Sequence, residues 1–447
     1  MYQNLEFSRF SHSFKRNGIV ALFHSLKFKP VFLGEKLYQQ LIDVLTSETV
    51  VTDASLKEKS IYENIMGAIN ALKDNRVLNE SPGRDDEVIN YFRSNLGLPQ
   101  IKIAYFILSE NCNLACDYCF EKAPTTHHSP ELFMSEEVAF KALDFYERML
   151  RINQNQSASL IEKDLIFYGG EPLLNYSVLL SVLREVKKRQ DSSEDNVWQN
   201  VNFSLVTNGT LLTKEIVAEL NNYGVTISIS VDGPKDVTDC NRHTTDGESA
   251  FNKIMQGINA CRETGSDFGL SVTLSEECVR NYNRVMDFIR HLGPTSLGFN
   301  VLMEGGTQQL SARYNENAAG FLIAAFDEFR QEGIYEDRMM RKVNSFVNSE
   351  IYPFDCGACG GNQLVFAPSG QVGICHGYMQ DKKYFPTDVN DESFDPNSDI
   401  VFSEWSKRSP LNMDECQECP ALGICGGGCP MNADYNHGSI WGLDLRF

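Results

Sequence analysis

The sequence predicts an α/β protein with three parts: a small N-terminal α+β domain, a partial (β/α)6 barrel and a cysteine-rich C-terminal domain. Six apolar, strand-like runs alternate with amphipathic stretches between residues 101 and 302. This alternation is typical of a parallel sheet with right-handed crossovers. The first 95 residues follow a different pattern, and after Tyr352 the sequence is rich in glycine, cysteine and turn residues. We therefore expect domains at 1–95, 96–315 and 346–447, with a bridging helix over 316–345.

The N-terminal domain is predicted to start with strands and to continue with helices. Ile19–Leu26 and Lys29–Leu33 alternate like two strands around a short turn, whereas Glu35–Leu45 and Ile61–Leu72 have helical periodicity. The segment 79–87 has the turn-forming and charged residues of a linker.

The central domain is predicted to contain six strands with helices between them. The strands are Ile101–Leu108, Asp164–Tyr168, Val201–Val206, Val225–Val231, Phe268–Leu274 and Leu297–Leu302. The helices are Glu136–Leu150, Tyr176–Lys188, Lys214–Tyr223, Ala250–Glu263, Asn281–His291 and, beyond the last strand, Asn315–Gly333. Six units suit a partial barrel better than a full eight-stranded one, and in either case we expect the chemistry at the carboxyl ends of the strands.

Charge and composition exclude several classes of function. The 447 residues are 42% hydrophobic and 22% charged, as in ordinary folded proteins, and carry a net charge of −20. This charge repels nucleic acids and anionic lipids. No apolar run approaches the roughly 20 residues of a membrane-spanning helix, and residues 1–16 do not form a signal peptide. We expect a cytoplasmic protein that binds neither nucleic acid nor membrane.

Ten of the thirteen cysteines fall into spaced sets, which in a cytoplasmic protein indicates metal rather than disulfides. The other three, Cys240, Cys261 and Cys278, are scattered and are expected to be small buried hydrophobic residues. The first set follows the first barrel strand and consists of Cys112, Cys116 and Cys119. Three thiolates can hold three irons of a [4Fe–4S] cube and leave the fourth iron open. A zinc site that lacks one ligand is the alternative.

The spacing Cys112-x3-Cys116-x2-Cys119 resembles the signature of the radical S-adenosylmethionine (radical SAM) enzymes. The resemblance implies that SAM binds the open iron and is cleaved to a 5′-deoxyadenosyl radical, which removes a hydrogen atom from the substrate. Other strand ends match the family as well. The resemblance implies that Glu171 and its neighbours contact the methionine amino group, that Ser230 and Arg242 hold the ribose and carboxylate, and that Tyr118 lies near the adenine. The full set of expected cofactor-binding residues is Tyr118, Gly169, Gly170, Glu171, Pro172, Asn208, Ser228, Ser230, Asp232 and Arg242.

The remaining cysteines resemble the SPASM domain, an extension of peptide-modifying radical SAM enzymes that carries two auxiliary iron–sulfur clusters. The resemblance implies three [4Fe–4S] clusters in all, with structural zinc as the alternative for the auxiliary sites. One auxiliary cluster is expected at Cys356, Cys359, Cys375 and Cys429, and the other at Cys416, Cys419 and Cys425. The family usually has one more cysteine, and the sequence ends at Phe447 without it. Either the sequence stops just short of this cysteine or the second auxiliary cluster has an open iron. We expect three protein thiolates there, with water or substrate as the fourth ligand.

The resemblance also suggests a substrate. Sulfatase maturases place an aspartate base where this sequence has His376, so His376 is a candidate catalytic base, although it is also interpretable as a loop residue or a hydrogen-bond donor to the cluster. Residues 438–447 resemble the tails of cyclophane-forming maturases, and residues 1–95 loosely resemble the winged-helix element that binds leader peptides; a structural cap is the alternative.

We therefore expect an oxidoreductase that forms a carbon–carbon crosslink between side chains (a cyclophane) in a ribosomally made precursor peptide and receives electrons from a flavodoxin or ferredoxin. Thioether formation, epimerisation, sulfatase maturation to formylglycine and a non-catalytic iron–sulfur electron carrier are the alternatives.

Overall fold

The computed structural model describes residues 5–46, 59–81, 83–120, 133–153, 162–192, 197–303 and 310–446. These residues form two compact units. The N-terminal unit comprises 1–96, 341–355 and 408–428, and the sheet unit comprises 97–340, 356–407 and 429–447. The range 346–447, which we predicted as one domain, is thus divided between the units. Backbone hydrogen bonds explain this, since Tyr352 and Asp355 donate to the carbonyls of Gly423 and Gly426 within the N-terminal unit.

The N-terminal unit packs helices against a small three-stranded antiparallel sheet. Its strands are β1 (Glu6–Phe7), β2 (Ser11–Arg16), β3 (Ile19–His24), β4 (Val31–Gly34) and β5 (Leu78–Asn79), and its helices include α1 (Glu35–Thr46), α2 (Lys59–Asp74) and α3 (Arg84–Ser94). One face of the sheet buries Val20, Leu22 and Leu33 against Leu41 and Ile69 of α1 and α2.

Several features of this unit differ from the prediction. The two-residue strands β1 and β5 were not predicted. Strand β2 was not predicted either, because its residues are mostly polar and it is recognisable only from its pairing with β3. The predicted linker over 79–87 contains the start of α3, at Arg84. Its first turn carries Asp85, Asp86 and Glu87, whose negative charges suit a helix N-terminus.

The sheet unit is built on one ten-stranded, mostly parallel sheet. All six predicted strands are confirmed, as β6 (Ile103–Ser109), β7 (Lys163–Gly169), β8 (Val201–Thr207), β9 (Val225–Ser230), β10 (Phe268–Leu274) and β11 (Ser296–Val301). The sheet continues at both edges with short strands that the sequence analysis missed, namely β12 (Tyr335–Glu336), β13 (Gln363–Phe366), β14 (Gln371–Gly373) and β15 (Thr387–Asp388). Strands β12 and β13 are parallel to their neighbours, whereas β14 and β15 are antiparallel.

The helices predicted between residues 35 and 333 are confirmed, although short helices were missed and the bridging helix is interrupted. The remaining helices are α4 (Glu136–Asn153), α5 (Tyr176–Ser192), α6 (Lys214–Asn222), α7 (Lys235–Asp239), α8 (Phe251–Thr264), α9 (Glu276–Arg280), α10 (Tyr282–Leu292), α11 (Tyr314–Glu332), α12 (Asp337–Asn348), α13 (Ile400–Trp405) and α14 (Pro430–His437). The predicted bridging helix, 316–345, is therefore two helices separated by β12. Within the ranges given above, no helix is long and apolar enough to cross a membrane.

The two faces of the large sheet have different side chains. Alternate residues of β6, such as Phe106 and Leu108, are buried in the main core with the flanking helices. On the other face, Ser204, Ser230 and Ser271 occupy alternate strand positions and are only partly buried. These small polar residues are less enclosed than the apolar residues of the opposite face.

Candidate functional site

The first cysteine set lies in the loop after β6, and its three side chains are partly buried and not joined in a disulfide. Burial raises the pKa of Cys112 to about 12, and the negative charges of Glu171, Cys116 and Cys119 add to this effect. The loop is held by the segment before α8, because Ala115 donates to the carbonyl of His243 at 2.8 Å. The three predicted ligands are therefore brought together, and their soft, closely spaced donors fit an iron–sulfur cluster. The described residues contain no group of three or more His, Cys, Asp or Glu arranged around a single metal ion.

The two glycines after β7 allow this turn to approach the cysteine loop. Gly169 has φ +135°, and a Cβ there would lie 2.3 Å from the carbonyl oxygen of Ser109. A Cβ on Gly170 would lie 2.3 Å from the carbonyl oxygen of Asn111. These distances exclude any larger residue. The glycines thus place the second strand end directly against the residues that precede Cys112.

The Glu171 carboxylate is fully buried and hydrogen-bonded to neighbouring residues of the protein. It is 0% exposed and accepts hydrogen bonds from the backbone of Leu173 (3.0 Å) and Asn208 (2.8 Å) and from the Thr207 hydroxyl (2.8 Å). Burial raises its pKa to about 7 despite these three bonds. Pro172 is buried beside it at the start of a short 3-10 turn. Glu171 therefore joins the turn after β7 to the turn after β8.

Asn208 contacts the cysteine loop directly. Its Nδ2 donates to Asn113 Oδ1 at 2.8 Å and lies 3.8 Å from Cys112 Sγ. Its Oδ1 accepts from the backbone and hydroxyl of Thr210, at 3.0 and 2.6 Å, which fixes the amide orientation. The third strand end is thereby tied to the first, and an amide N–H group is directed at a predicted iron ligand.

Three of the expected cofactor-binding residues form one buried network. Arg242 donates to both oxygens of Asp232, at 3.0 and 3.1 Å, and Tyr118 also donates to Asp232. The backbone of Thr273 donates to the same carboxylate at 2.9 Å. Burial opposes the charge of Arg242, but Asp232 outweighs it and raises the pKa of Arg242. The network links the cysteine loop, through Tyr118, to the ends of β9 and β10.

The serines of β9 lie on the less enclosed face of the sheet. Ser228 and Ser230 are partly buried at alternate positions, and Ser230 is paired in register with Ser271 of β10. The hydroxyl of Ser271 accepts a hydrogen bond from Asn300 of β11 at 2.9 Å. The side chains of Ser230, Ser271 and Asn300 therefore form a row of hydroxyl and amide groups across β9, β10 and β11.

The second cysteine set also converges, entirely within the sheet unit. The sulfurs of Cys356 and Cys359 are 3.6 Å apart. Burial raises the pKa of Cys375, and the charges of Cys429 and Cys356 raise it further, which shows that these thiols are neighbours. None of the four is in a disulfide, and their donor set fits a second cluster.

His376 follows this set and lies against two inward-facing tyrosines. Its ring centroid is 4.9 Å from that of Tyr105 on β6 and 4.8 Å from that of Tyr168 on β7. Burial lowers the pKa of His376 to about 4, so the imidazole is neutral near pH 7. Within the described part of the protein, its Nδ1 has no hydrogen-bond partner. The sequence analysis did not identify the tyrosines, whose only signal was their alternate positions on predicted strands.

The third cysteine set lies in the N-terminal unit and has three members, Cys416, Cys419 and Cys425. Burial, together with the other two thiols, raises the pKa of Cys416 to about 11. Burial also raises the pKa of Cys425, whereas the positive charge of Lys342 opposes this. Lys342 donates to the Cys425 carbonyl at 3.2 Å. Among the described residues of this unit there is no fourth cysteine.

Comparisons with known proteins agree with this geometry. Residues 106–289 match the family model described as the radical SAM superfamily. The sequence is 24% identical to the radical SAM cyclopropyl synthase TigE of Paramaledivibacter caminithermalis, over 77% of its own length and 71% of TigE. It is 23% identical to a cysteine-type anaerobic sulfatase-maturating enzyme of Clostridium perfringens, over 78% of its own length and 94% of that enzyme. Streptococcus suis SuiB, solved bound to its precursor peptide SuiA, shares the fold with a TM-score of 0.55 and 12% identity, over 99% of both proteins.

Proposed function

The protein contains a radical SAM domain, and from this premise we propose that it is a maturase that forms a carbon–carbon crosslink between side chains (a cyclophane) in a ribosomally made precursor peptide. The observation that carries the proposal is the meeting of the Cys112 loop with the turns after β7 and β8, through Glu171 and Asn208. A peptide substrate is supported by relatives named as sulfatase-maturating enzymes and by SuiB, which was solved with a precursor peptide.

The three cysteines of the first loop would hold a [4Fe–4S] cluster with SAM on its open iron, which supplies 5′-deoxyadenosyl radical chemistry for removing a substrate hydrogen. The protein's own residues hold the cysteine loop and the surrounding strand ends in position. Glu171 and the Asp232–Arg242 pair fix the strand ends around the loop. Ser228 and Ser230, which are partly buried on β9, are proposed to bind the polar groups of SAM. A site held rigidly in this way is prepared for its ligand before the ligand arrives.

The wall formed by Tyr105, Tyr168 and His376 is proposed to face the substrate. The two tyrosine rings hold the imidazole from two sides, with centroids less than 5 Å away. His376 remains the candidate base for a proton released as the crosslink forms. The histidine at this position argues against formylglycine formation, because sulfatase maturases place an aspartate base there.

The two further cysteine sets would hold auxiliary clusters that accept the electron released on crosslinking. Cys356, Cys359, Cys375 and Cys429 supply four thiolates to one cluster. The other would be held by Cys416, Cys419 and Cys425, with water or substrate as its fourth ligand. A flavodoxin or ferredoxin is the proposed external reductant.

The N-terminal unit is proposed to bind the leader part of the peptide. Its three-stranded sheet has β2 and β4 as edges, and an extended peptide can add to such an edge through backbone hydrogen bonds. Phe14 and Phe32 lie on these two strands and are both paired in register with Ala21 of the central strand. They are 57% and 66% exposed and offer apolar contacts to a bound peptide.

The test is to incubate the anaerobically reconstituted enzyme with SAM, a reductant and a candidate precursor peptide. Loss of two hydrogen atoms from the peptide, with formation of 5′-deoxyadenosine, supports the crosslink. Loss of the same mass with a free thiol consumed indicates a thioether, and an unchanged mass with an inverted residue indicates epimerisation. The Cys112→Ala variant is the control and should form no 5′-deoxyadenosine.

Sulfatase maturation is the second candidate, because the Clostridium perfringens maturase aligns over 94% of its length. A sulfatase-derived peptide containing cysteine or serine should be tested in parallel. An aldehyde on that peptide, detected by hydrazine labelling, together with an unmodified precursor peptide, would replace our proposal by this one. No 5′-deoxyadenosine from any mixture would instead indicate a non-catalytic iron–sulfur protein.

A further inference from the structure

A buried ion pair lies close to the C-terminus, in the sheet unit. The guanidinium of Arg446 donates to both oxygens of Asp444, at 2.8 Å from Nε and 2.7 Å from Nη2. The two side groups are only 4% and 0% exposed. A buried pair of charges has a large desolvation cost, which its other partners must offset.

The pair connects a predicted cluster ligand, Cys429, to the end of strand β11. Asp444 accepts hydrogen bonds from the backbone of Cys429 at 2.8 Å and from Asn432 at 2.9 Å. Arg446 Nη1 donates to the carbonyls of Val301 (3.0 Å) and Leu302 (3.2 Å), where β11 ends. The turn that carries Cys429 is thereby fixed to the carboxyl edge of the sheet.

The charges of the pair reach the sulfur as well. Burial opposes the charge of Arg446, but its hydrogen bonds to Asp444 and to the Cys429 thiol outweigh this effect and raise the pKa of Arg446. Arg446 Nη2 donates to Oδ2 of Asp444, the same oxygen that accepts the hydrogen bond from the backbone of Cys429. The charge of Arg446 is therefore held close to Cys429, and at a buried site it is little screened by water.

We propose that Arg446 is a positioning residue that places a buried positive charge on the Cys429 thiolate and thereby stabilises the one-electron-reduced state of the cluster held there, while Asp444 moderates this effect. The inference rests on the proposed function, which assigns Cys429 to an auxiliary cluster. In the proposed reaction, the radical left on the ring after the new bond forms would lose one electron to that cluster and one proton to a base, for which His376 is the candidate. A nearby positive charge favours the added negative charge and so raises the reduction potential.

The test uses the full-length protein, reconstituted anaerobically, with the cluster potentials measured by electron paramagnetic resonance during redox titration with dithionite. The Arg446→Gln variant should shift the midpoint of one auxiliary signal to a more negative potential, and Arg446→Lys should shift it less. Asp444→Asn should shift the same signal to a more positive potential. The matched control is Arg330→Gln, which changes an exposed arginine of α11 paired with Asp327 and should leave every midpoint unchanged.

Opposite shifts of this midpoint in Arg446→Gln and Asp444→Asn would indicate a charge effect. Structural damage would instead shift the midpoint in the same direction in both variants. Unchanged midpoints, or equal shifts in Arg446→Gln and Asp444→Asn, would overturn the proposal. If Arg446→Gln fails to fold, Arg446→Lys and Asp444→Asn decide the question. The measurement needs no peptide, so failure to find a substrate does not affect it. Absence of any iron–sulfur signal that depends on Cys429 would instead overturn the cluster assignment.

Discussion

Gly257, in the middle of α8, sets how closely this helix approaches the turn after β8. A Cβ at this position would lie 2.1 Å from the carbonyl oxygen of Gly209 and 3.2 Å from Cβ of Leu212. Favourable carbon–oxygen contacts begin at about 3.3 Å, so Gly257→Ala must push the helix and the turn about 1 Å apart. Overpacking of this kind typically costs about 1–3 kcal/mol. Because the same turn carries Asn208, the cysteine loop should be disturbed as well.

The assay is urea unfolding of the full-length protein, combined with iron analysis after reconstitution. Gly257→Ala should lower the unfolding midpoint and the iron content. Gly320→Ala is the matched control, since Gly320 is an exposed glycine of α11 with nothing within 4 Å of a Cβ. That variant should be more stable by about 0.5–1 kcal/mol, because alanine is the better helix former. The reasoning is refuted if Gly257→Ala keeps full stability and iron, or if both variants change alike.

Three further changes test other parts of the site. Cys112→Ala should abolish SAM cleavage and lower the iron content by up to about four iron atoms per protein molecule. Cys261→Ala, which changes a buried cysteine outside the three sets, should leave SAM cleavage and iron content unchanged. The raised pKa of Glu171, about 7 in the fold against 4.5 as its ordinary value, means that the folded state binds the proton more tightly. Stability should therefore fall by up to about 3 kcal/mol between about pH 4.5 and 7, and urea titrations of Glu171→Gln should show a smaller fall. Arg242→Met leaves the buried Asp232 carboxylate without its cationic partner and should lower the free energy of unfolding by about 3–5 kcal/mol. Arg284→Met changes an exposed ion pair and should lower it by less than about 1 kcal/mol. Equal losses of stability would contradict this expectation.

The central strands could be predicted because each is a short apolar run between turn residues. Val201–Thr207 and Phe268–Leu274 are found within one residue of their predicted bounds. The strands that were missed lack such a signal. β12 has two residues and β14 has three, too few for an alternating pattern to be recognised. β2 is polar, and it is a strand only because β3 provides hydrogen-bonding partners along its whole length.

The cysteine sets could be located from spacing, but the polar contacts around them could not. Local sequence does not reveal that Arg446 reaches the carbonyls of Val301 and Leu302, because the partners are almost 150 residues away. A charged residue near a terminus is ordinarily interpreted as solvated. Its burial follows from the tertiary packing of the sheet unit, and only the structure brings the two segments together.

The polar residues of the site divide into two groups with different physical roles. The charged ones, Glu171, Asp232 and Arg242, are buried, and their polar atoms bond to neighbouring turns and to one another. The neutral side chains of Ser228 and Ser230 are only partly buried. Buried charges give strong, directional bonds that hold three strand ends in one arrangement, whereas partly exposed hydroxyls lose little solvation when a ligand replaces water. If SAM binds as we propose, the charged residues would act on it through the loops that they fix, and direct recognition would fall to the hydroxyls and to the backbone.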